Sequence, residues 1–455
     1  MTIAKNQPDA ATLRDMLHAA RARTLAFAAR LRPDQWLGPR LSIVNPPLWE
    51  IGHLAWFQEH WCLRYRPHGS LAPSMLQNAD ALYNSATVPH AQRWRLPLLD
   101  VDQTRAYLRD VFDAVLARIE REGATEHLRY FAQLAVFHEE MHNEAFYYTC
   151  QTLGYAVPDI QKQRTAGCVT NLPHPNPSPG GRGALHLSPS ERRAGDAAIG
   201  GGRFLLGAGS ADGFVFDNEK WAHEVMVQPY RMARTAVSNA EFAAFVDDAG
   251  YSRRELWSDA GRHWRNEAGA TMPVYWVKQG KHWHVRRFDQ TISIAPDAAV
   301  LHVNWYEAEA YCQWAKRRLP TEAEWEFAAA TAPGNATHKR RYPWGDAPPT
   351  AAHANLFGVA PGSVDVAAFP AGDSAWGVRQ LFGNVWEWTA DGFNAYPGFV
   401  RDPYKEYSEP WFGNHKVLRG GCYATRATLL RNTWRNFYTP DRRDVLAGFR
   451  TCALD

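Results

Sequence analysis

The chain contains 455 residues, of which 45% are hydrophobic and 21% are charged, and its formal net charge is +3. This length exceeds that of a typical single hydrophobic core, so two or three domains are expected. The net charge is small for the length and no Lys/Arg tract occurs, which argues against a nucleic-acid-binding protein.

Cysteine spacing and hydrophobic runs indicate the compartment. The six cysteines are scattered and form no C-x-x-C pair, which argues against a zinc ribbon and against a disulfide framework. The first residues lack an apolar signal core, and no apolar run of about 18 residues occurs. We therefore expect a cytoplasmic protein with reduced thiols and no membrane partner.

Residues 1–157 predict a helical domain. Four helices are expected, over residues 9–37, 47–60, 102–122 and 130–153. In the first and the last of them, apolar side chains recur at three- and four-residue spacing, and Gly154 and Pro158 end the last one. Four helices in about 150 residues predict an up-down bundle, a fold that commonly builds metal sites from inward-facing side chains.

The fourth helix contains the sequence HEEMH from His138 to His142. Two histidines four residues apart lie on one face of a helix, one turn apart, where both imidazoles reach the same cation. The block also matches the H-E-x-x-H signature of zinc proteases, in which Glu139 is the general base. The alternative is that the histidines only satisfy hydrogen bonds in a helical core, but the paired spacing favours a metal site.

Two histidines cannot hold a catalytic metal alone, and His53 is the best third ligand. It lies in the second helix, between Trp49 and Trp56. A single histidine in such an aromatic setting is more often a core residue, but the opposing histidine pair reverses that preference. His60 lies on the same face about two turns further along, too far away to share the metal.

Residues 158–200 are rich in proline and glycine and contain few core-forming residues, so they predict a flexible linker. His174, within this linker, is a weak ligand candidate.

Residues 201–455 consist of short segments separated by glycine, proline and tryptophan, which predicts an irregular α+β domain. Strands are expected over residues 202–208 and 225–233, and helices over 238–249 and 305–317. A capping box between Thr321 and Glu324 predicts a further helix start.

The two parts resemble a known enzyme family. The Pro-Pro-Leu-Trp run before His53 and the His138/His142 pair resemble the DinB-type four-helix domain of the ergothioneine-pathway sulfoxide synthases. The second part is similar to the C-type-lectin-like domain of formylglycine-generating enzymes (sulfatase-modifying factors), which these synthases carry. The matching motifs are GRFLLG from Gly202, LPTEAEWE from Leu319, YPWGD from Tyr342, GNVWEW from Gly383, VLRGG from Val417 and GFR from Gly448.

The resemblance implies a mononuclear non-haem iron(II) site held by His53, His138 and His142. Enzymes of this kind use O2 to join sulfur or selenium to C2 of the imidazole of hercynine, the trimethylated betaine of histidine. Imidazole ligands suit iron(II), and three of them leave positions for O2 and for the chalcogen substrate. The resemblance disfavours the zinc protease, whose third ligand would lie downstream of the HEEMH block.

The resemblance also implies a substrate pocket. Asn436 is expected to bond the carboxylate or the imidazole of hercynine, and Phe437 and Tyr438 are expected to receive its trimethylammonium group by cation–π attraction. The alternative is that these aromatic residues are ordinary core. A tyrosine that supplies a proton during the reaction with O2 is expected in the loop after GNVWEW. Tyr404 matches best and Tyr407 second, and a neutral phenol is a suitable donor near pH 7.

Two positions depart from the family pattern. Tyr438 replaces an Asp of the enzymes that use γ-glutamylcysteine, while Arg442, which helps to hold the thiol substrate there, is retained. Met141 replaces a Gln that contacts hercynine. The neutral Tyr438 favours a hydroxyl-rich selenosugar, whereas Arg93 and Arg95, in a loop that lines the second-substrate pocket of the family, remain able to bind a carboxylate.

On these residues we favour a selenoneine synthase that uses hercynine, a selenosugar and O2. The first alternative is an ergothioneine sulfoxide synthase that uses γ-glutamylcysteine or cysteine. A zinc protease or a catalytically silent binding protein is the alternative from another class. Copper-dependent formylglycine generation is not expected, because Cys422 has no cysteine partner close by. The chalcogen donor and the oligomeric state stay open.

Overall fold

The computed structural model describes residues 7–158 and 195–454. The first part contains helices α1 (Ala10–Ala28), α2 (Pro47–Glu59), α3 (Ala79–Tyr83), α4 (Val101–Glu122) and α5 (Glu126–Leu153). A π-helical turn, His60–Arg64, continues α2. Helix α1 packs on α5, and α2 packs on both α4 and α5, so the predicted helical bundle is confirmed.

Side-chain caps define where these helices begin. Asp9, Asp100 and Thr125 each accept a hydrogen bond from a backbone N–H in the first turn of α1, α4 and α5. Helix α1 ends at Ala28, well before the predicted residue 37, and a separate 3-10 turn follows at Pro33–Gln35. Helix α3 lies in a stretch for which no helix is predicted.

The second part is built from short strands and helices. The strands are β1 (Asp196–Ile199), β2 (Gly202–Leu206), β3 (His223–Val227), β4 (Tyr230–Ala233), β5 (Trp276–Gln279), β6 (His282–Arg287), β7 (Gln290–Ser293), β8 (Arg317–Arg318), β9 (Trp386–Gly392), β10 (Lys416–Arg419), β11 (Asn436–Tyr438), β12 (Ala447–Gly448) and β13 (Cys452–Ala453). The helices are α6 (Asn239–Asp247), α7 (Asp259–Glu267), α8 (Trp305–Ala315) and α9 (Glu322–Ala330).

These strands form four small sheets. Two have four strands each, in the orders β1-β4-β13-β8 and β11-β10-β9-β12, and the others are β2-β3 and β5-β6-β7. In the second sheet, β10 pairs antiparallel with both β9 and β11, and Leu418 lies opposite Trp388 and Asn436. This architecture confirms the predicted irregular α+β domain.

The boundary between the two parts differs from the prediction. Strand β1 lies inside the segment 158–200 that is predicted as a linker. It pairs antiparallel with β4, from Asp196 opposite Ala233 to Ile199 opposite Tyr230. The sheet of the second part therefore begins before residue 201. Residues 159–194, which hold the rest of the predicted linker and its His174, lie outside the described residues.

Two local predictions in the second part have different outcomes. The strand predicted over residues 225–233 is divided into β3 and β4 at Pro229, because proline lacks the N–H that a strand ladder requires. The capping box at the start of α9 is confirmed. The Thr321 hydroxyl accepts from the backbone N–H of Glu324, and the Glu324 carboxylate accepts from the backbone N–H of Thr321.

Two further features of the described residues are the state of the cysteines and the character of the helices. The five cysteines within the described residues are buried free thiols, so no disulfide holds this part of the chain. No helix within residues 7–158 and 195–454 combines the length and the apolar character needed to cross a bilayer.

Candidate metal centre

Three histidines meet between α2 and α5. Nε2 of His138 lies 3.3 Å from Nε2 of His53 and 3.2 Å from Nε2 of His142. The ligand atoms of all three lie within 4.8 Å of one another, and in the part of the chain that the structure describes they form the one such cluster of His, Cys, Asp or Glu. The structure thus brings the three predicted ligands together, and His60 lies outside the cluster.

Helix geometry explains these positions. His138 and His142 are one turn apart on α5, with ring centroids separated by 4.5 Å. His53 reaches the same point because α2 packs on α5, although 85 positions separate it from His138 in the sequence. Gly52 permits Tyr83 to lie against α2, since a Cβ atom at residue 52 would overlap the Tyr83 ring.

Two of the three imidazoles are held through their outer nitrogens. Nδ1–H of His53 donates to the backbone carbonyl of Tyr83 at 2.7 Å, and Nδ1–H of His142 donates to the Glu50 carboxylate at 2.6 Å. Because Nδ1 carries the proton, each Nε2 presents a lone pair to the centre. The sequence predicts neither partner, although Glu50, an acidic residue three positions before His53 on the same helix, was an available signal.

The protonation state of the buried histidines suits metal binding. Burial, followed by the charge of neighbouring imidazoles, lowers the pKa of both His53 and His138, so both are neutral near pH 7. His138 also stacks on Phe57, with ring centroids 3.6 Å apart. Adjacent nitrogen ligands at about 2.1 Å from a metal lie about 3 Å apart, close to the separations found here. The donor set therefore fits a divalent metal that prefers imidazole.

Glu139 is not placed as the general base of a protease. Its carboxylate accepts hydrogen bonds from Arg21 Nε at 2.9 Å and from Thr24 Oγ1 at 2.7 Å, and both partners belong to α1. All three side chains are buried. A carboxylate that is ion-paired toward α1 cannot activate a water at the histidine cluster. The zinc-protease interpretation loses its catalytic base.

The loop between β9 and β10 carries both predicted tyrosines to the cluster. The Tyr404 ring lies 6.1 Å from the His138 ring and 4.9 Å from the Phe57 ring, measured between centroids. The Tyr407 hydroxyl lies 3.6 Å from Sδ of Met141, in the turn of α5 that also carries the histidine pair. Burial raises the pKa of both phenols, so both are neutral near pH 7.

This tyrosine loop is anchored to both parts of the protein. Two residues before Tyr404, Asp402 accepts hydrogen bonds from Lys220 Nζ at 2.7 Å and from the Tyr130 hydroxyl at 2.8 Å. Directly after Tyr407, the buried Ser408 hydroxyl accepts from the Asn218 side-chain amide at 3.0 Å. Since Tyr130 belongs to α5, the helix that supplies two histidines also helps to place Tyr404.

Strand β11 consists of the three predicted hercynine-binding residues. Phe437 lies 5.6 Å from Tyr407 between ring centroids, and one face of its ring is covered by Phe393 at 4.0 Å. The side-chain oxygen of Asn436 accepts from the backbone N–H of Phe437 at 2.8 Å. Tyr438 follows on the same strand. Strand β11 therefore contacts the tyrosine loop through Phe437.

The positive charge of Arg442 is paired with the carboxylate of Asp444 inside the protein. Its Nε and Nη2 atoms each donate to Asp444 at 2.6 Å, and Nη2 also reaches the carbonyl of Ile43 at 3.2 Å. Burial lowers the pKa of Arg442, but the charge and the hydrogen bonds of Asp444, together with the neighbouring Tyr148 and Tyr438, raise it above the ordinary value. The guanidinium lies 5.2 Å over the Tyr438 ring. A substrate carboxylate would have to compete with Asp444 for this cation.

Arg93 and Arg95 differ in position. The Arg93 guanidinium lies 3.8 Å over the Trp49 ring, and Trp49 in turn stacks on His53 with 8° between the ring planes. Burial lowers the pKa of Arg93 to about 10. Arg95 is exposed, and its backbone N–H bonds the preceding turn at Gln92. The structure brings Arg93 to Trp49, which stacks on His53, and leaves Arg95 exposed.

Glu144 is a buried acidic residue of α5 that the sequence does not single out. It lies on α5 two residues after His142 and is 6% exposed. Its carboxylate accepts from Trp386 Nε1 at 2.6 Å and from the Thr425 hydroxyl, so it joins α5 to the second part of the protein. Burial raises the pKa of Glu144, while those two hydrogen bonds act in the opposite direction. An acidic residue within an apolar helical stretch was the available signal.

Comparison with known families covers both parts of the chain. The model of the sulfatase-modifying factor enzyme 1-like domain matches residues 184–454, and the model of the DinB superfamily matches residues 16–145. These matches confirm the two predicted domain types.

Similar proteins with known roles also match. The chain is 40% identical to the hercynine oxygenase of Mycolicibacterium thermoresistibile, over 90% of this chain and 87% of the relative. It is 37% identical to the hercynine oxygenase of Mycolicibacterium smegmatis, over 96% and 98%. It is 35% identical to the formylglycine-generating enzyme of Thermomonospora curvata, over 59% of this chain and 96% of that enzyme. The two hercynine oxygenases match nearly the whole chain, whereas the third relative matches little more than half of it.

Proposed function

The chain belongs to the hercynine oxygenase family, and on that premise we propose that it is a non-haem iron(II) oxidoreductase that acts on hercynine. With O2 as oxidant, it forms a bond between C2 of the hercynine imidazole and a chalcogen. We propose that the chalcogen is selenium, supplied by a selenosugar. The observation that carries the metal assignment is the convergence of three imidazole Nε2 atoms, from His53, His138 and His142, at separations that suit one ion.

When bound, iron(II) would supply the redox chemistry that O2 requires and open positions for the chalcogen substrate. The side chains of this protein supply orientation and the exclusion of water. His53 and His138 are only 2% and 4% exposed. The Glu50 carboxylate orients His142, and the Tyr83 carbonyl orients His53. The Tyr404 hydroxyl, held neutral by burial, is the proposed proton donor.

The buried position of Glu144 supports the proposal of a cationic substrate. A buried carboxylate is costly unless a cation compensates it. Among the described residues no Lys or Arg forms an ion pair with Glu144, and its recorded donors, Trp386 and Thr425, are uncharged. Burial raises the pKa of Tyr438 on β11, and the charge of Glu144 raises it further. The permanent charge of the hercynine trimethylammonium group would compensate it there.

The variant Glu144→Gln tests this role. Loss of the carboxylate charge is expected to raise the KM for hercynine by about 10- to 100-fold, since an interaction with a charged group contributes on the order of 1.5–3 kcal/mol. The KM for the chalcogen donor is expected to stay within about threefold. Steady-state kinetics with each substrate varied in turn measure both constants. Equal increases in both would indicate a general loss of domain packing instead.

The surroundings of Arg442 support an uncharged chalcogen donor. Its guanidinium already forms two hydrogen bonds with Asp444, so it offers no free charge to a substrate carboxylate. Tyr438, beneath it, contributes a phenol where a carboxylate would be needed to bind an amino group. Sugar hydroxyls pair with groups of this kind, because a phenol both donates and accepts hydrogen bonds.

The lack of a carboxylate partner for Arg93 among the described residues favours the second candidate, an ergothioneine sulfoxide synthase that uses γ-glutamylcysteine. Within the described residues no carboxylate forms an ion pair with its guanidinium, which donates to the Asn45 side chain at 2.6 Å. Such a guanidinium is able to receive one substrate carboxylate. A γ-glutamyl dipeptide carries two carboxylates, so Arg93 alone would leave one of them unpaired.

The deciding experiment is anaerobic reconstitution with iron(II), followed by O2-dependent turnover of hercynine. Selenosugar, γ-glutamylcysteine and cysteine are offered separately and then in competition, and products are quantified by mass spectrometry. We expect the selenium product to dominate. A preference for γ-glutamylcysteine would replace this proposal with the ergothioneine one, and no hercynine consumption by the iron-loaded protein would overturn both.

A further inference from the structure

We propose that Glu50 is a positioning residue of the metal centre, whose carboxylate holds the His142 imidazole with Nε2 toward the metal and strengthens metal binding. Glu50 is 1% exposed and accepts the hydrogen bond from Nδ1–H of His142 at 2.6 Å. Glu50 shares helix α2 with His53, so one helix provides both a ligand and the support of a ligand on α5. The inference rests on the proposed function, because it requires a metal at the histidine cluster.

His142 is the ligand that most needs such support. His53 is held by the Tyr83 carbonyl and stacks on Trp49, and His138 stacks on Phe57. The side chain of His142 is 19% exposed, and its ring contacts with the other two histidines are edge-on. Without Glu50, this imidazole would be free to rotate and to exchange which of its nitrogens carries the proton.

Charge gives Glu50 a second effect. Three neutral imidazoles leave the charge of a divalent ion uncompensated in a buried site. A carboxylate that accepts from a ligating histidine increases the basicity of that ligand and partly compensates the ion, and loss of such a partner typically weakens metal affinity by about 10- to 100-fold. Among the three histidines, His142 has a carboxylate partner, His53 has a carbonyl, and Nδ1 of His138 has no hydrogen-bond partner among the described residues.

The test compares Glu50→Gln with the matched control Glu59→Gln. Glu59 is also a buried glutamate of α2, but it bonds Ser74 and Tyr107 rather than a histidine. Cobalt(II) affinity is measured anaerobically by competition with a chromophoric chelator, and the visible ligand-field spectrum reports the ligand geometry. We expect Glu50→Gln to weaken cobalt binding by about 10- to 100-fold and to alter the spectrum. The control is expected to stay within about twofold of the wild type.

A third variant, Glu50→Asp, retains the charge and is expected to recover part of the lost affinity. Thermal unfolding of the metal-free proteins verifies that each variant is folded. Cobalt affinity of Glu50→Gln equal to that of the control would overturn the inference. A His138→Ala variant separates this outcome from failure of the proposed function: if cobalt binding survives that change too, the metal site itself is misassigned.

Discussion

Replacement of His138 by alanine is expected to abolish iron binding at stoichiometric concentrations and to reduce hercynine turnover to background. His138 lies within 3.3 Å of both other histidines, so it is the central member of the cluster. Removal of a residue that only supports a ligand typically costs about 10- to 100-fold in metal affinity, and loss of a ligand itself should cost more. Bound iron is measured by a colorimetric chelator after anaerobic desalting, and turnover by consumption of hercynine.

His60→Gln is the matched control for this change. His60 belongs to the turn that continues α2, two turns beyond His53, and burial lowers its pKa to about 4, so it is also a neutral imidazole. This variant is expected to bind one iron per chain with unchanged affinity. Full iron occupancy in His138→Ala, or loss of iron in His60→Gln, would contradict the assignment of the centre.

Replacement of Tyr404 by phenylalanine is expected to lower kcat by about 10²- to 10⁴-fold, the usual contribution of a positioned proton donor. The ring contacts with Phe57 at 4.9 Å and with Trp61 at 5.9 Å do not require the hydroxyl, so folding should be preserved. Iron affinity should be unchanged, because Tyr404 is not a ligand. Single-turnover kinetics after addition of O2 to the iron- and substrate-loaded protein measure the effect.

Tyr407→Phe provides the comparison within the same loop. The Tyr407 hydroxyl contacts the thioether of Met141, a weak acceptor, and its ring packs on Phe216 at 4.3 Å. We expect less than about a tenfold reduction of kcat for this variant. A large loss in Tyr407→Phe together with normal activity in Tyr404→Phe would exchange the two roles.

The two parts of the protein contribute different residues to the surroundings of the histidine cluster. The helical bundle supplies the histidines, while the second part supplies the tyrosine loop and strand β11. Polar contacts that join them within the described residues include Asp402 with Tyr130, Arg442 with the Ile43 carbonyl, and Glu144 with Trp386. A change at this interface is therefore expected to alter the placement of substrate relative to metal before it alters either domain alone.

Local sequence patterns predict much of the fold. Apolar spacing and end signals predict α2, α4 and α5 to within a few residues, because helix formation depends on neighbours three and four positions apart. The sequence does not predict strand β1, which lies in the predicted linker. Its four residues carry a weak local signal, and the strand forms by pairing with β4. Helix α3, with five residues, likewise carries a weak local signal, and the apolar pattern of α1 continues to Leu31 although the helix ends at Ala28.

The sequence by itself determined the two-domain organisation, the H-x-x-x-H spacing on α5 and the family motifs, because each of these is carried by residues close together in the chain. The tertiary structure decided which side chains converge. It brought His53 to the histidine pair, supplied Glu50 as the partner of His142, paired Arg442 with Asp444 and left Arg95 exposed. The physical reason is that the direction and charge state of a side chain depend on elements packed against it, and here those elements lie far apart in the sequence.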